Sequence, residues 1–478
     1  MEDITQNQCS AVNEQSCSAS NLKLKFEEFL KEKSLIFKEW LKGDSPVRII
    51  SHFDADGICS AEIITKSLEK LNKFFHLSIT NQLKDETFDK LKKEDYSIII
   101  FSDLGSGQIE QIKKLNGNSK ILIIDHHTPS EEQTPDNILH INPFLLGING
   151  DESASCSSVV YKFMSNLTEI PELEHLALIG AIGDNQEKDT FTSINQDILT
   201  ELLLSKKIIV KKDIKLFGKN ILPSYTSLKY STNPYIPSIT GNESSSIQLL
   251  SDLGISIMTS NGEVKKLSNL SDEEKEKLTT AILIKRQDFS EDPMDIFGNV
   301  YLLDEGEQIS LSERAFLINV CSRMGHIKEA FEICESKAPN LIKVQNLIDI
   351  YNSKIMQAIR LIEEGKITKF TKNSMYVLAK NQISDKLIGE LVNILSMSET
   401  ISLEKEIIIG FADVNESEVK ISVKKSQKLK NINLKKLLPL IAKELGGKSG
   451  GHDLMSGAFI PAGKEEEFIN RFEQLISE

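Results

Sequence analysis

Short aliphatic runs alternate with amphipathic stretches over the first third of the chain. The runs "VRIISHFD" (47–54), "HLSIT" (76–80), "YSIIIFSD" (96–103), "KILIIDHH" (120–127) and "ILHINPF" (138–144) are largely continuous, the pattern of strands buried on both faces. Segments with apolar residues at three- and four-residue spacing precede and separate them, including 22–42 and about 57–71, and read as helices. The pattern is that of an open α/β domain with a parallel sheet. From about 156 the pattern turns helical, and 246–366 is mostly helical and rich in charge. Strands return near 367 ("SMYVLAK", "EIIIGFAD", "EVKISVKK") in a second, smaller α/β domain. The expected divisions are a disordered tail over 1–20, a first domain over 21–245, a helical connector or insertion over 246–366 and a final domain over 367–478.

Composition narrows the class. At 478 residues, 40% of them hydrophobic and 26% charged, the chain is sized for two or three globular domains. No run approaches the roughly 18 apolar residues of a membrane span. The polar opening "MEDITQNQCSAVNEQSCSAS" lacks the apolar core of a signal peptide. Six scattered cysteines without a C-x-x-C pair argue against a zinc knuckle or a disulfide framework, so a cytoplasmic setting is expected. The net charge of −14 excludes a surface coated in nucleic-acid-binding charge. Nine lysines against the single Glu444 between Lys420 and Lys448 nevertheless make one basic stretch, and six against Asp213 between Lys206 and Lys219 make another.

The chemistry gathers where strands end. In an open parallel sheet, ligands sit beyond the carboxyl ends of the strands. Three of these strands end on Asp54 and Asp56, on Asp103, and on Asp125-His126-His127, while Asp184 follows Gly183 at a helix end. Carboxylates crowded in this way repel one another unless a cation holds them. With His52 and His126 the donor set suits Mn2+ or Mg2+ better than a thiolate-seeking metal. Four carboxylates and two imidazoles exceed the needs of one ion. A pair of ions bridged by one carboxylate, with Asp103 as the bridge, uses them all and is the arrangement of two-metal phosphoester hydrolysis.

The pieces "SHFDADGICSAEI", "FSDLGSG", "LIIDHHTPS" and "IGAIGDNQ" resemble the four motifs of the DHH phosphoesterase family, and "GGKSGGHDLMSGAFIP" resembles the glycine-rich signature of the DHH-associated domain of its RecJ branch. The segments "SLKYSTNPYIPSITGNESSSIQLLSDLGI" and "ERAFLINVCSRMG" resemble archaeal RecJ-like proteins, among them the GINS-associated nuclease. The resemblance covers about 45–478. It implies metal ligands at His52, Asp54, Asp56, Asp103, His126 and Asp184, a catalytic group of Asp103, His126 and His127, and Asp125 orienting an imidazole. It implies substrate contacts at Ser422, Lys424, Gly450, Gly451 and His452, with Lys425 also facing the nucleic-acid backbone and the "KIS" strand pairing with the glycine turn. Two Mn2+ ions are the favoured cofactor and Mg2+ the alternative. The partners implied are single-stranded DNA or RNA, then GINS and the MCM helicase, and no membrane.

Three functions are consistent with these residues, and pyrophosphatase chemistry on a related metal core is a fourth and generic one that the glycine-rich end of the chain opposes. The favoured one is exonucleolytic hydrolysis of single strands in replication or repair, DNA before RNA and 5′ to 3′. A phosphodiesterase for short oligonucleotides or cyclic dinucleotides is the second, opposed by the long helical segment. A replisome scaffold is the third, opposed by an intact ligand set that would repel itself without metal.

Overall fold

A computed structural model describes residues 2–115, 119–130, 134–187, 189–232, 234–287, 292–303, 309–335, 341–396, 405–426 and 428–477, with side chains from residue 20 onward apart from 341 and 342. The chain begins with α1 (Glu2–Trp40), β1 (Val47–His52), α2 (Ala55–Lys70), β2 (Phe75–Thr80), α3 (Asp85–Lys93) and β3 (Ile98–Ser102). It continues with α4 (Ile109–Ile112), β4 (Lys120–Ile124), β5 (Ile138–Ile141), α5 (Gly150–Ser153), α6 (Cys156–Ser165), α7 (Glu174–Gly183) and α8 (Ser193–Leu204). Next come β6 (Ile209–Ile214), α9 (Ser224–Tyr230), α10 (Glu243–Asp252), α11 (Asp272–Arg286), β7 (Phe297–Leu302), α12 (Leu311–Arg323) and α13 (Ile327–Glu335). The remainder is α14 (Leu341–Glu363), β8 (Thr368–Phe370), β9 (Ser374–Lys380), α15 (Asp385–Ser396), β10 (Ile407–Asn415), β11 (Glu418–Lys425), α16 (Leu434–Glu444), β12 (Lys448–Gly451), β13 (Met455–Pro461) and α17 (Glu465–Ser477). Where a disordered tail was expected over 1–20, the structure starts α1 at Glu2; no Pro or Gly interrupts this stretch, and among its described side chains Phe26, Leu30 and Phe37 are buried.

The chain divides into two units, one of residues 1–210 with 301–340 and the other of 211–300 with 341–478. The first is built on a five-stranded sheet in the order β2-β1-β3-β4-β5, every pairing parallel. The inner strands β3 and β4 are apolar apart from Ser102 and Lys120 because both faces are covered. Ile50, Ile99, Phe101, Ile121 and Ile123 pack with Phe88, Leu91, Ile109 and Ile112 from α3 and α4, while α2 and α6 lie on the other face. The strand order reverses between β1 and β3, which opens a crevice at their carboxyl ends. Register aligns the residues that leave those ends. Ser51 pairs with Ser102, and Ser102 with Ile124, so His52, Asp103 and Asp125 leave the sheet along one rank.

Packing divides the stretch 246–366 that reads from sequence as one connector. Residues 216–297 surround a hydrophobic cluster that includes Leu228, Ile239, Leu250, Leu278 and Ile282. The helices α12 and α13 pack against α2, and α12 also against α7, within the first unit; α14 belongs to the second.

The second unit carries a six-stranded sheet, β12-β13-β11-β10-β9-β8, in which only β9 and β10 are parallel. Ile409, Phe411, Ile421 and Val423 meet Leu438 and Ile441 of α16 and Phe468 and Phe472 of α17. The helix α15 packs on β10 and β11.

Candidate metal centre

Five carboxylates and three imidazoles converge at the carboxyl end of the first sheet. Asp103, one residue past β3, has φ of +59°, a left-handed conformation unfavourable for a residue with a Cβ. Its backbone N–H donates to Ile124 O at 2.9 Å, so β4 keeps the strained residue in the ladder. The carboxylate of Asp103 faces two ways. Oδ2 lies 3.2 Å from His52 Nδ1, and Oδ1 lies 3.4 Å from His126 Nε2. His52 Nδ1 is also 2.9 Å from Asp54 Oδ2; His126 Nε2 is 3.0 Å from Asp184 Oδ2 and 3.8 Å from Asp56 Oδ2. Two groups result, His52-Asp54-Asp103 and Asp56-His126-Asp184, each with donor atoms within 4.8 Å of one another.

Helix ends hold the carboxylates in place. Asp54 caps α2 by accepting from Gly57 N at 3.0 Å. Asp56, fully buried, accepts from Cys156 N at 2.7 Å and Ser157 N at 2.9 Å, the first amides of α6, where the helix dipole favours negative charge. Gly180 of α7 makes room for it: a Cβ there would stand 2.3 Å from Asp56 Oδ1 and 2.1 Å from Ser157 Oγ. Asp125 accepts from Ser106 N at 3.0 Å, His126 N at 2.8 Å and the His127 ring at 2.7 Å.

The electrostatics match a site that carries positive charge. Burial drives the Asp56 carboxyl upward and the charges of Asp184 and Asp103 push it further, well above the usual range. Burial and then Asp54 raise Asp103 as well. Burial opposes ionisation of Asp54, but His52 outweighs it and holds that carboxyl well below its ordinary value; at Asp125 burial is outweighed in the same way by His127. The imidazoles of His52 and His126 are raised well above 6.5, because carboxylates overcome the burial that disfavours their charge. His127 is raised for the same reason, with Asp125 the main opponent of burial. The raised groups draw protons toward the centre, and a divalent cation satisfies the same field.

Several supporting residues lie in or beside the motif segments with nothing in the sequence to mark their role. Ser106 Oγ takes a hydrogen bond from Asn142 Nδ2 at 2.9 Å and lies 2.8 Å from His140 Nε2, while Asn142 Nδ2 also donates to His127 O at 2.8 Å. Asn319 Oδ1 accepts from Ala55 N at 2.9 Å. The Arg323 guanidinium stands 5.9 Å over the Phe53 ring and adds to the depression of Asp54. Gln186 lies beside His126. A polar residue near a motif is the only sequence signal any of these carries.

In the second unit, Ser422 on β11 is opposite Gly457 on β13, and Gly457 is opposite Gly450 on β12. The "KIS" strand therefore does not pair with the glycine strand as expected: β13 lies between them, because the sharp turn at 452–455 folds the chain back before it can reach β11. His452 N donates to Met455 O at 2.8 Å in that turn, and Gly451 there has φ of +131°, which a side chain would strain. The amine of Lys424 bonds to Asn393 Oδ1 of α15, and burial lowers its pKa. Lys425 corrects a second expectation. Its amine is buried and spent on Leu429 O, Ile432 O and Asp453 Oδ2, so it faces the protein interior.

Residues 46–184 match the DHH family, N-terminal domain; 216–291 match the DHH-CID domain and 371–478 the DHHA1 domain. The chain is 30% identical over 463 residues to an uncharacterized protein of Methanocaldococcus jannaschii, a match covering 95% of this chain and 98% of that one. The chain belongs to the DHH family. Its RecJ-like character rests on further matches. This DHH chain is 26% identical over 206 residues to the single-stranded-DNA-specific exonuclease RecJ of Bacillus subtilis, a match covering 40% of this chain and 26% of that protein. Among solved structures, RecJ of Thermus thermophilus in complex with Mn2+ superposes with a TM-score of 0.55 at 15% identity, over 94% of this chain and 54% of that one. CDC45 of Entamoeba histolytica superposes with a TM-score of 0.61 at 14% identity, over 95% and 99%. At these identities the structural likeness is one of fold. Among the described residues, no helix is long and apolar enough to cross a membrane.

Proposed function

We propose that this DHH protein is a two-metal phosphoesterase of RecJ type that degrades single-stranded nucleic acid from an end, DNA before RNA and 5′ to 3′. One observation carries the reading: the two oxygens of Asp103 face two separate imidazole-carboxylate groups, the geometry of a bridging ligand. The residues fit a pair of divalent ions. Asp103 Oδ1 and His52 Nδ1 are buried and make no hydrogen bond of normal geometry, a cost that a cation would remove. His52, Asp54 and Asp103 would hold one ion and Asp56, Asp103, His126 and Asp184 the other, with Mn2+ favoured over Mg2+. Two such ions would supply polarisation of a phosphoryl oxygen and an activated water.

The remaining work falls to the chain itself. Asp125 accepts a hydrogen bond from Nδ1 of His127 and so orients this half-buried ring. Its raised pKa equips it to give a proton to the departing oxygen. Ser422, Lys424, Gly450, Gly451 and His452 form the proposed strand-holding surface, with bare backbone at the glycines for phosphate approach. Replisome membership beside GINS and the MCM helicase is the biological setting that fits this reading.

A scaffold role is the second reading, favoured by the end-to-end superposition on CDC45. Single-stranded DNA and a matching RNA, labelled at either end, separate the two when incubated with Mn2+, Mg2+ or EDTA. Stepwise loss from the 5′ end of DNA, absent in EDTA, supports the nuclease. No cleavage by folded protein supports the scaffold.

A further inference from the structure

The basic stretch between Lys420 and Lys448 is sorted by the second sheet, and part of it meets an aromatic ring. On β11, Val419, Ile421 and Val423 join the core with Ala458 and Ile460 of β13, so strand alternation places Lys420, Ser422 and Lys424 on the opposite face. Met455, Gly457 and Phe459 of β13 share that face with Lys448 and Gly450 of β12 through the cross-strand register. Two rows result, Ser422-Gly457-Gly450 and Lys420-Phe459-Lys448, about 7 Å apart along the strands. The helix α15 covers the inner end of this face, where a Cβ on Gly389 would stand 3.4 Å from Ser422 Oγ and 3.5 Å from Met455 Cε. Beyond it the face opens: Gly450 and Lys448 are exposed, and Gly457, Phe459 and Lys420 are half-buried. The Lys420 amine stands 5.8 Å from the centroid of the Phe459 ring. Glu418, next on this face of β11, ends the basic row.

The fold itself does not require glycine at 450 or 457. Neither has a left-handed φ; a Cβ on Gly450 would meet nothing within 4 Å, and one on Gly457 would come no closer than 3.4 Å, to Ile421 O. A glycine inside a strand weakens it and often marks the close approach of a ligand. A ring and two amines beside a bare strip of backbone match an unpaired nucleotide, whose phosphate takes cations and amides and whose base takes a flat apolar face. We propose that Phe459 is a stacking platform for one unpaired base, with Lys420 and Lys448 on either side meeting the flanking phosphates. The platform rests on the single-strand reading, independently of the metal centre, and adds these three residues to the strand-holding surface. The lysine stem is flexible, so a base can take the place of the Lys420 amine over the ring while that amine turns to a phosphate. Stacking of this kind grips a strand without choosing among bases, since every base has a flat face.

The test uses the whole chain in EDTA, which keeps the strand uncut, and reads fluorescence anisotropy. The probes are a short labelled oligothymidylate and an abasic strand of equal length, which has the same phosphates and no bases. Phe459→Leu keeps apolar bulk beside Lys420 and removes the flat face, whereas Phe459→Trp enlarges that face. The leucine variant is expected to bind oligothymidylate about 5–50-fold more weakly and the abasic strand as wild type does, and the tryptophan variant to bind oligothymidylate at least as well as wild type. Lys420→Gln with Lys448→Gln is expected to weaken both strands and to lower the salt slope by about 1.4. Gly450→Val is expected to weaken both strands with the melting temperature kept or raised, since the space is open and valine favours a strand. Oligothymidylate affinity of the leucine variant within about twofold of wild type overturns the platform, as does an equal loss on both strands, the mark of a role in shaping the surface alone. If wild type binds neither strand, the platform falls together with the single-strand reading. Binding in EDTA without cleavage in Mn2+ removes only the nuclease reading, and the difference between the two strands still decides the platform.

Discussion

The two sheets treat buried charge in opposite ways. At the end of the first, carboxylates and imidazoles crowd together, and atoms such as Asp103 Oδ1 lack a normal hydrogen bond inside the protein. On the second, the amine of Lys425 is buried deeper than many apolar side chains, yet every contact it makes is to a protein acceptor. Charge that is satisfied internally serves the fold, whereas charge left facing its own kind waits for something from outside. Lys424 lies between these cases: among the described residues its amine bonds to Asn393, and it is less deeply buried than Lys425.

The sharpest way to break this contrast is to remove the bridge. Asp103→Ala is expected to lower Mn2+-dependent cleavage of single-stranded DNA by at least about a thousandfold, or about 4 kcal/mol in the barrier, with stability kept or improved because a strained, buried charge is gone. Steady-state cleavage and thermal melting, measured together, check both halves. Lys425→Met should behave in reverse. It strands Asp453 and two carbonyl oxygens and is expected to cost about 3 kcal/mol in urea unfolding, while Mn2+ binding at the first sheet stays unchanged.

A gentler probe is Glu62 on α2, buried with its Oε1 lacking a hydrogen bond. Burial pushes this carboxyl from 4.5 up to about 7, with Lys66 opposing and Glu335 assisting. Because the folded state holds the proton more tightly than the unfolded one, its contribution is full below about pH 4.5 and is lost as pH rises through 7. Glu62→Gln, which cannot ionise, should therefore gain on the order of 2 kcal/mol relative to wild type at pH 8 and nothing near pH 4, read from melting curves at both. The smallest effect is assigned to Lys424→Met: single-strand binding weaker by about 3–10-fold and a salt slope lower by about one charge, with melting little changed.

How far the sequence announces these features depends on whether a residue acts alone or through a distant partner. The first sheet was legible because continuous aliphatic runs that end on charge have few meanings, and strands at one end of a parallel sheet bring those charges to a common rim. His52, Asp103 and Asp125 reach that rim by register alone. The residues behind them were not legible. Asn142 and Ser106 are ordinary polar residues until β5 is placed beside β4, and Gln186 meets the His126 ring only when Gly150 is folded against it. The second sheet was harder still, since strand order there is not sequence order: β13 returns between β11 and β12, and a lysine pair on one strand divides into Lys425 turned inward and Lys424 on α15. The helical stretch misled for a related reason. Its periodicity shows that α12 and α13 are helices but not that α2 and α7 are what they cover.

The most direct test of the account is the electron paramagnetic resonance spectrum of Mn2+ bound to the wild-type protein and to Asp103→Asn. A bridge through the two oxygens of Asp103 predicts two Mn2+ per wild-type chain with an exchange-coupled spectrum, and loss of the coupling in the variant. A single ion per chain, or two ions with independent spectra in the wild type, would contradict it.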